Sequence, residues 1–195
     1  MFGKFLTRLI LLIIFVCPFS MNGQTLKEII KTLAGEDKEE TVKIVPYKEV
    51  LNEVITINSS SNEMFSGGNT RQAIRVKLPA GTKKWYYRIT PMDVTSTYSY
   101  NPRETFFSLL TNNYPLFVND RTNYGFNFYI INDYALSDFY AKRAFNIYSN
   151  FTREKTLGFY GECNLTFSNL MICLVNPNLK EGLKVIVEVV AYGYY

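Results

Sequence analysis

The acid–base and nucleophilic chemistry open to this chain is narrow, because its 195 residues include no histidine. Ser-His-Asp triads, Cys-His pairs and the common zinc sites all depend on an imidazole. Carboxylates remain, and a glycosidase needs two of them about 5 to 10 Å apart in a cleft. No spacing singles out such a pair among the candidates, which are Asp93, Glu104, Asp133, Asp138 and Glu162. We therefore predict a non-enzymatic protein that holds no cofactor.

Cys163 and Cys173 are the two cysteines that follow the amino-terminal leader described below. An even number of cysteines in an exported protein favours a disulfide, which would close a short loop and contribute about 3 kcal/mol at most. The alternative is a pair of buried thiols. Two thiolates are too few for a tetrahedral metal site, so we predict a disulfide rather than zinc.

Two loop clusters offer side-chain oxygens of the kind that calcium prefers. The clusters are Asn119, Asp120 and Asn123, and Asn132, Asp133 and Asp138. Neither matches the twelve-residue calcium loop with its closing Glu, and Asx turns explain such residues equally well. We predict no metal site, while the sequence leaves calcium binding open.

Aromatic side chains indicate a binding function, since the chain contains 15 Tyr and 15 Phe. Tyr98, Tyr100 and Tyr114 fall in or beside predicted loops. Exposed rings in loops present flat apolar faces with a hydrogen-bonding tip, which suits a sugar ring or a protein partner. The alternative is that the loops fold over the ends of the domain and bury these rings.

A second candidate surface lies on a predicted strand, where Lys84, Tyr86 and Arg88 alternate with Trp85 and apolar neighbours. Side chains two positions apart on a strand share a face, so these three would point away from the buried Trp85. A basic, aromatic sheet face could dock an anionic glycan or an acidic protein surface. Cation–π pairing within the face is the alternative use of the same residues.

The segment that positions this face, residues 71–93, is predicted to form an antiparallel hairpin. Apolar residues alternate with basic or polar residues in both halves, and the turn sequence PAG separates the halves. Such alternation is typical of a sheet with one buried face. Trp85, Tyr87 and Ile89 would therefore point into the core.

The remaining patterns predict a mainly β domain of about seven to nine short strands. Val185, Val187 and Val189 would point inward, opposite Lys184 and Glu188 on an exposed face. A helix is predicted to start at Asn101 and to end near residue 112, and residues 137–142 suggest a single helical turn. The best fit is an antiparallel β-sandwich with one or two short helices. Residues 42–57 are ambiguous between strand and helix, because Pro46 argues against one continuous element while the alternation at residues 54–58 favours a strand. The further strand-like segments are residues 116–118, 126–131, 144–148, 156–160, 170–175 and 183–191.

The first 23 residues read as a cleaved signal peptide, with basic Lys4 and Arg8 before an apolar run over residues 9–16. That run is shorter than the roughly 20 residues that span a bilayer, so we predict no membrane span in the mature chain. Cys17 raises lipid anchoring as an alternative, but a larger Val16 stands where lipoprotein signals place a small residue. We expect a secreted, periplasmic or cell-surface protein.

The mature chain would divide into a short helix with a charged linker over residues 24–41 and one β-sandwich domain over residues 42–195. Loss of Lys4 and Arg8 leaves 19 basic against 17 acidic residues, a formal net charge of +2. Nucleic-acid binding needs clustered basic residues rather than this near balance, so we predict no nucleic-acid partner.

Two stretches resemble secreted bacterial jelly-roll modules of the pre-peptidase C-terminal or GOLD-like type. They are IRVKLPAGT followed by WYY, at residues 74–82 and 85–87, and LVNPN followed by VIVEVV, at residues 174–178 and 185–190. The resemblance covers about a quarter of the chain. It implies an accessory or binding module and carries no catalytic residue. We therefore expect a secreted module that binds a protein partner in the envelope or extracellular space, with carbohydrate binding through loop tyrosines as the alternative.

Overall fold

The computed structural model describes residues 46–97, 101, 103–118 and 122–195. The predictions for residues 1–41, namely the leader and the helix with its charged linker, lie outside the described residues. None of the described helices is long and apolar enough to cross a membrane. The described elements are β1 (Tyr47–Ile57), α1 (Ser60–Ser66), β2 (Arg71–Arg75), β3 (Thr82–Asp93), α2 (Phe106–Thr111), β4 (Phe126–Asn132), α3 (Leu136–Tyr140), β5 (Arg153–Thr156), β6 (Phe159–Cys163), β7 (Leu170–Val175) and β8 (Leu183–Gly193), with 3₁₀ turns at Asp133–Ala135 and Ser149–Phe151.

The strands form two four-stranded sheets, in the order β1-β8-β3-β6 in sheet A and β2-β7-β4-β5 in sheet B. All neighbouring strands are antiparallel. Four of the pairs are nested, since β1 pairs with β8, β2 with β7, β3 with β6 and β4 with β5. Nested pairing of eight strands over two sheets is the arrangement of a jelly roll. The predicted jelly-roll-like β-sandwich is confirmed.

The core lies between the sheets and follows the predicted alternation. Trp85, Tyr87 and Ile89 of β3 are buried, and so are Val185, Val187 and Val189 of β8. The Tyr87 ring stacks on Phe128 of sheet B at 5.4 Å between centroids. The indole N–H of Trp85 donates to the Leu165 carbonyl at 2.6 Å, so its polar atom is satisfied inside the core.

The predicted hairpin over residues 71–93 is wrong, because β2 belongs to sheet B and β3 to sheet A. Residues 76–81 cross from one sheet to the other, and Gly81 enters β3 with a φ of 87°. A side chain at Gly81 would stand 2.2 Å from the Tyr194 carbonyl oxygen, which requires glycine there. Alternation predicts which side chains face the core, but it does not tell to which sheet a strand belongs, because both sheets face the same core.

The structure also differs from the prediction in three other segments and in one additional helix. The predicted strand at residues 156–160 is interrupted at Gly158, whose φ of 130° separates β5 in sheet B from β6 in sheet A. Residues 116–118 and 144–148 form no strand. Helix α1 was not predicted, and it begins where the Ser59 side chain accepts from the N–H of Asn62.

Two short helices pack on the outer faces of the sheets. The helix predicted from Asn101 begins at Phe106 instead, with Thr105 as its N-cap, and α2 contacts β8 and β1 of sheet A. Helix α3 confirms the predicted single turn near residue 137. Its Phe139 joins a second hydrophobic cluster with Met171 and Cys173 on the outer side of sheet B.

Candidate functional site

The residues of the predicted sheet-face site separate into two environments. Lys84 and Tyr86 lie half-buried on the outer face of sheet A, near the start of β3. Arg88, two residues further along the strand, is only 8% exposed. The outer face of sheet A is therefore covered along one part and open along another, and the open part carries the candidate site.

Strand pairing brings three tyrosines and one ion pair together on the open part, which we call the tyrosine patch. In the register of sheet A, Tyr47 of β1 lies opposite Tyr192 of β8, and Tyr192 lies opposite Lys84. Tyr86 is two residues from Lys84 on the same face of β3, and it lies opposite Glu162 of β6. The patch therefore consists of residues from all four strands of sheet A.

The rings of the tyrosine patch do not lie in one plane, since Tyr47 meets Tyr192 edge to face and is tilted by 44° against Tyr86. The Tyr47 centroid is 5.2 Å from that of Tyr192, with 62° between the planes, and 6.3 Å from that of Tyr86. The Lys84 ammonium stands 5.0 Å from the Tyr86 ring and 5.7 Å from the Tyr192 ring. Cation–π contacts of this kind fix the lysine against the rings.

Electrostatics within the tyrosine patch favour one protonation state. The Lys84 Nζ donates to Glu162 Oε2 at 3.0 Å. A hydrogen bond to Tyr86 and this ion pair raise the pKa of Lys84 well above its usual value. Burial and the neighbouring phenols of Tyr86 and Tyr192 raise the pKa of Tyr47. At neutral pH the Tyr47 phenol is therefore neutral, and the Lys84 ammonium stays protonated beside the Glu162 carboxylate.

Arg88 is not a surface residue, which corrects its assignment to the binding face. Its Nε donates to Glu188 Oε2 at 2.6 Å, and its Nη2 donates to Glu188 Oε1 at 3.0 Å. The guanidinium also donates to the Glu104 carbonyl at 2.7 Å, and the Phe106 N–H donates to Glu188 Oε1 at 2.8 Å. Glu188, predicted to lie on an exposed face, is only 2% exposed. Helix α2 and its flanking residues cover this ion pair.

The loop tyrosines do not form a common site within the described residues. Tyr98 and Tyr100 lie outside the described residues. Tyr114 follows α2 and is 56% exposed. A single exposed ring is common on protein surfaces and defines no site by itself.

The predicted disulfide between Cys163 and Cys173 is absent, and both cysteines are buried free thiols. Cys163 at the end of β6 belongs to the core between the sheets, whereas Cys173 of β7 belongs to the cluster on the outer side of sheet B. The body of sheet B therefore separates the two sulfur atoms. An even cysteine count says nothing about which face of a strand each residue occupies, and this is why the prediction was wrong.

Several candidate carboxylates are engaged in ion pairs rather than facing each other. Asp133 accepts from Arg75 at 2.9 Å, and Asp138 accepts from Arg143 at 2.6 Å. Glu162 is paired with Lys84 in the tyrosine patch. Asp93 lines a pocket of about 230 Å³, smaller than typical ligand sites of about 300 to 1,000 Å³. Within the described residues no group of three His, Cys, Asp or Glu side chains could hold a metal ion.

Three residues of the tyrosine patch, Tyr47, Glu162 and Tyr192, were not part of the predicted binding site. Alternation along β8 assigns Tyr192 to the outer face, but only the register places it beside Lys84 and Tyr47. A sequence reading that treats each strand separately cannot supply that register.

No protein-family model, curated protein or solved structure matches this chain significantly. The fold and the surface define it as a jelly-roll β-sandwich with a tyrosine patch on the open part of sheet A. The inference of function therefore depends on the chemistry of that surface.

Proposed function

We propose that this protein is a secreted, non-enzymatic binding or surface-assembly module that docks onto a protein partner in the envelope or extracellular space. The observation that carries the proposal is the tyrosine patch, in which rings from three strands meet beside a compensated Lys84–Glu162 pair. Export is supported by the predicted leader at residues 1–23. A binding role also agrees with the resemblance of two stretches to secreted jelly-roll modules.

The chemistry of the patch favours a protein over other ligands. Tyrosine and other aromatic residues are enriched where proteins meet, because a large ring with one polar tip loses little conformational entropy on binding. The Lys84–Glu162 pair is partly exposed beside the rings, as charges at the rim of an interface are. Rings inclined to one another, by 62° for Tyr47 and Tyr192 and by 44° for Tyr47 and Tyr86, present an uneven surface, which suits an interdigitating protein surface better than the flat face of a sugar.

The alternative function, carbohydrate binding through loop tyrosines, depends on Tyr114 within the described residues. One ring gives neither the paired platform nor the polar neighbours that a sugar site needs. We therefore place the partner on the tyrosine patch.

The test compares wild-type protein with Tyr86→Ala. A partner is captured from the envelope and medium of the source cells, purified, and titrated against both proteins. A tyrosine central to an interface contributes about 2 kcal/mol or more, so we expect Tyr86→Ala to weaken binding by about 30-fold or more. Lys84→Ala should weaken binding less, by an amount that shrinks as salt is added.

Tyr134→Ala is the matched control, since Tyr134 is 85% exposed and follows β4 of sheet B. It should bind the partner as the wild type does. Tyr86→Ala should keep the wild-type melting temperature, because Tyr86 lies outside the core. Equal binding by wild type and Tyr86→Ala would contradict the proposal, and a melting temperature lowered by many degrees would show that Tyr86 stabilises the fold instead.

A further inference from the structure

A groove of about 480 Å³ lies over the outer side of sheet B, away from the tyrosine patch. The end of β4, the following 3₁₀ turn and α3 form one wall, and residues 144–148 form the other. The volume falls within the range of about 300 to 1,000 Å³ that is typical of small-molecule sites. None of the residues in the groove belongs to the proposed protein-binding surface.

The apolar part of the groove is held in place by aromatic packing. The Phe145 ring stands edge-on to Phe139 at 5.4 Å and to Tyr129 at 5.5 Å. Such perpendicular contacts favour one orientation of the ring. At the rim, Tyr134 extends into solvent with 85% of its surface exposed. The groove therefore combines a fixed apolar ring with a free aromatic face.

The polar part of the groove offers a donor and an acceptor that have no partner among the residues that the structure describes. The Asn132 Oδ1 accepts from the Tyr134 N–H at 3.2 Å and from the Asn169 Nδ2 at 2.9 Å. These bonds orient the amide and leave its Nδ2 available as a donor. The Asp138 Oδ1 accepts from two Arg143 nitrogens, at 2.9 and 2.6 Å, and this leaves Oδ2 as an acceptor.

The charge of the groove is balanced, because Arg143 compensates Asp138. Asn146 adds an exposed amide with no hydrogen-bond partner among the described residues. A phosphate or carboxylate ligand would need a net positive site, which this groove does not provide. The complementary ligand is uncharged and carries several groups that each donate and accept hydrogen bonds.

We propose that this groove binds a pyranose ring of a neutral glycan. Each sugar hydroxyl donates and accepts, which matches the Asn132 donor, the Asp138 acceptor and the Asn146 amide. The C–H face of the ring packs on the exposed Tyr134, as apolar ligand faces do on aromatic side chains. The inference is independent of the proposed protein-binding function, because the tyrosine patch and the groove share no residue.

The experiment is a titration of the purified protein with methyl glycosides of glucose, galactose, mannose and N-acetylglucosamine, and with short neutral oligosaccharides of each. Saturation-transfer NMR detects binding at millimolar ligand, and titration of backbone amide shifts gives the dissociation constant. We expect at least one sugar to bind, and Tyr134→Ala to weaken its binding by about tenfold or more, which corresponds to about 1.4 kcal/mol. Asp138→Ala should weaken the binding of the same sugar.

Tyr160→Ala is the matched control, since Tyr160 is 48% exposed on β6 of sheet A and lies outside the groove. It should bind the sugar as the wild type does, and so should Tyr86→Ala. Failure of every neutral sugar to bind, or unchanged affinity in Tyr134→Ala, overturns the inference. The proposed partner is unaffected by either result, because Tyr134→Ala tests the sugar and Tyr86→Ala tests the protein.

Discussion

Cys163 and Cys173 have a reactivity that follows from their surroundings. Burial raises the pKa of Cys163 to about 11 and raises the pKa of Cys173 still further above its usual value. A thiol that stays protonated and is closed to solvent does not react with alkylating agents. We expect the folded protein to leave both cysteines unmodified by iodoacetamide near neutral pH, and the unfolded protein to be modified at both. Peptide mass spectrometry without reductant checks this, and a peptide joining the two cysteines would contradict it.

The same two thiols give the stability of the protein a pH dependence. In the unfolded chain a cysteine ionises near pH 8.5, whereas the folded state keeps it protonated until higher pH. The unfolded state therefore binds fewer protons in this window, and the free energy of unfolding falls as the pH rises from about 8.5 to about 11. Replacement of both cysteines by alanine should flatten that slope in urea titrations at several pH values.

Residue patterns predicted the core-facing side chains correctly and part of the outer face incorrectly. Trp85, Tyr87 and Ile89 are in the core, as alternation indicated. Arg88 and Glu188 also follow the alternation, yet both are buried. Alternation tells which side of a strand faces the core between the sheets, and it carries no information about a helix that covers the other side. This limit removed Arg88 from the predicted site and left Lys84 and Tyr86.

At the scale of elements, α2 is held on sheet A by the buried pair of Arg88 and Glu188. Glu188 accepts from the Phe106 N–H at the start of α2, and Arg88 donates to the Glu104 carbonyl. Glu188→Ala would leave the Arg88 charge buried and without its carboxylate. We expect a loss of about 3 to 5 kcal/mol in the free energy of unfolding, measured by urea titration.

Two variants separate this effect from a general loss of charge. Glu162→Ala breaks the exposed pair with Lys84 and should cost less than about 1 kcal/mol. The double variant Arg88→Met, Glu188→Leu removes both buried charges and should recover part of the stability lost in Glu188→Ala. If Glu188→Ala is as stable as Glu162→Ala, the buried pair does not hold α2.

The positions of the strands along the sequence were easier to predict than the pairing of strands within the sheets. The segments of β4, β7 and β8 were recognised from their β-branched and aromatic runs. The pairing of β2 with β7 joins strands that are far apart in the sequence, and no local pattern encodes it. The predicted hairpin over residues 71–93 was wrong for this reason. The tyrosine patch depends on long-range pairings in sheet A, of β1 with β8 and of β3 with β8 and β6, so only its β3 members were predictable.

At the scale of the whole molecule, the nested pairing makes β8 essential to the fold. This strand lies between β1 and β3 in sheet A and contributes Val185, Val187 and Val189 to the core. A chain that ends before residue 183 would leave β1 without a partner strand and the core open along its length. β8 buries six Val, Leu or Ile side chains, and burial of each contributes about 1.5 to 3 kcal/mol, so their loss removes free energy comparable to the whole stability of a typical domain, about 5 to 15 kcal/mol.

We therefore expect deletion of residues 183–195 to abolish cooperative thermal unfolding, measured by circular dichroism and calorimetry. The matched control deletes only Tyr194 and Tyr195, which lie beyond β8 and are exposed. That variant loses the hydrogen bond from the Tyr194 N–H to the Gly81 carbonyl and the contact of Tyr195 with Thr82, and it should still unfold cooperatively near the wild-type temperature. A cooperative transition in the chain that lacks residues 183–195 would contradict this prediction. It would mean that the remaining strands fold without β8, and that the pairing of β8 with β1 and β3 is not needed for cooperative folding.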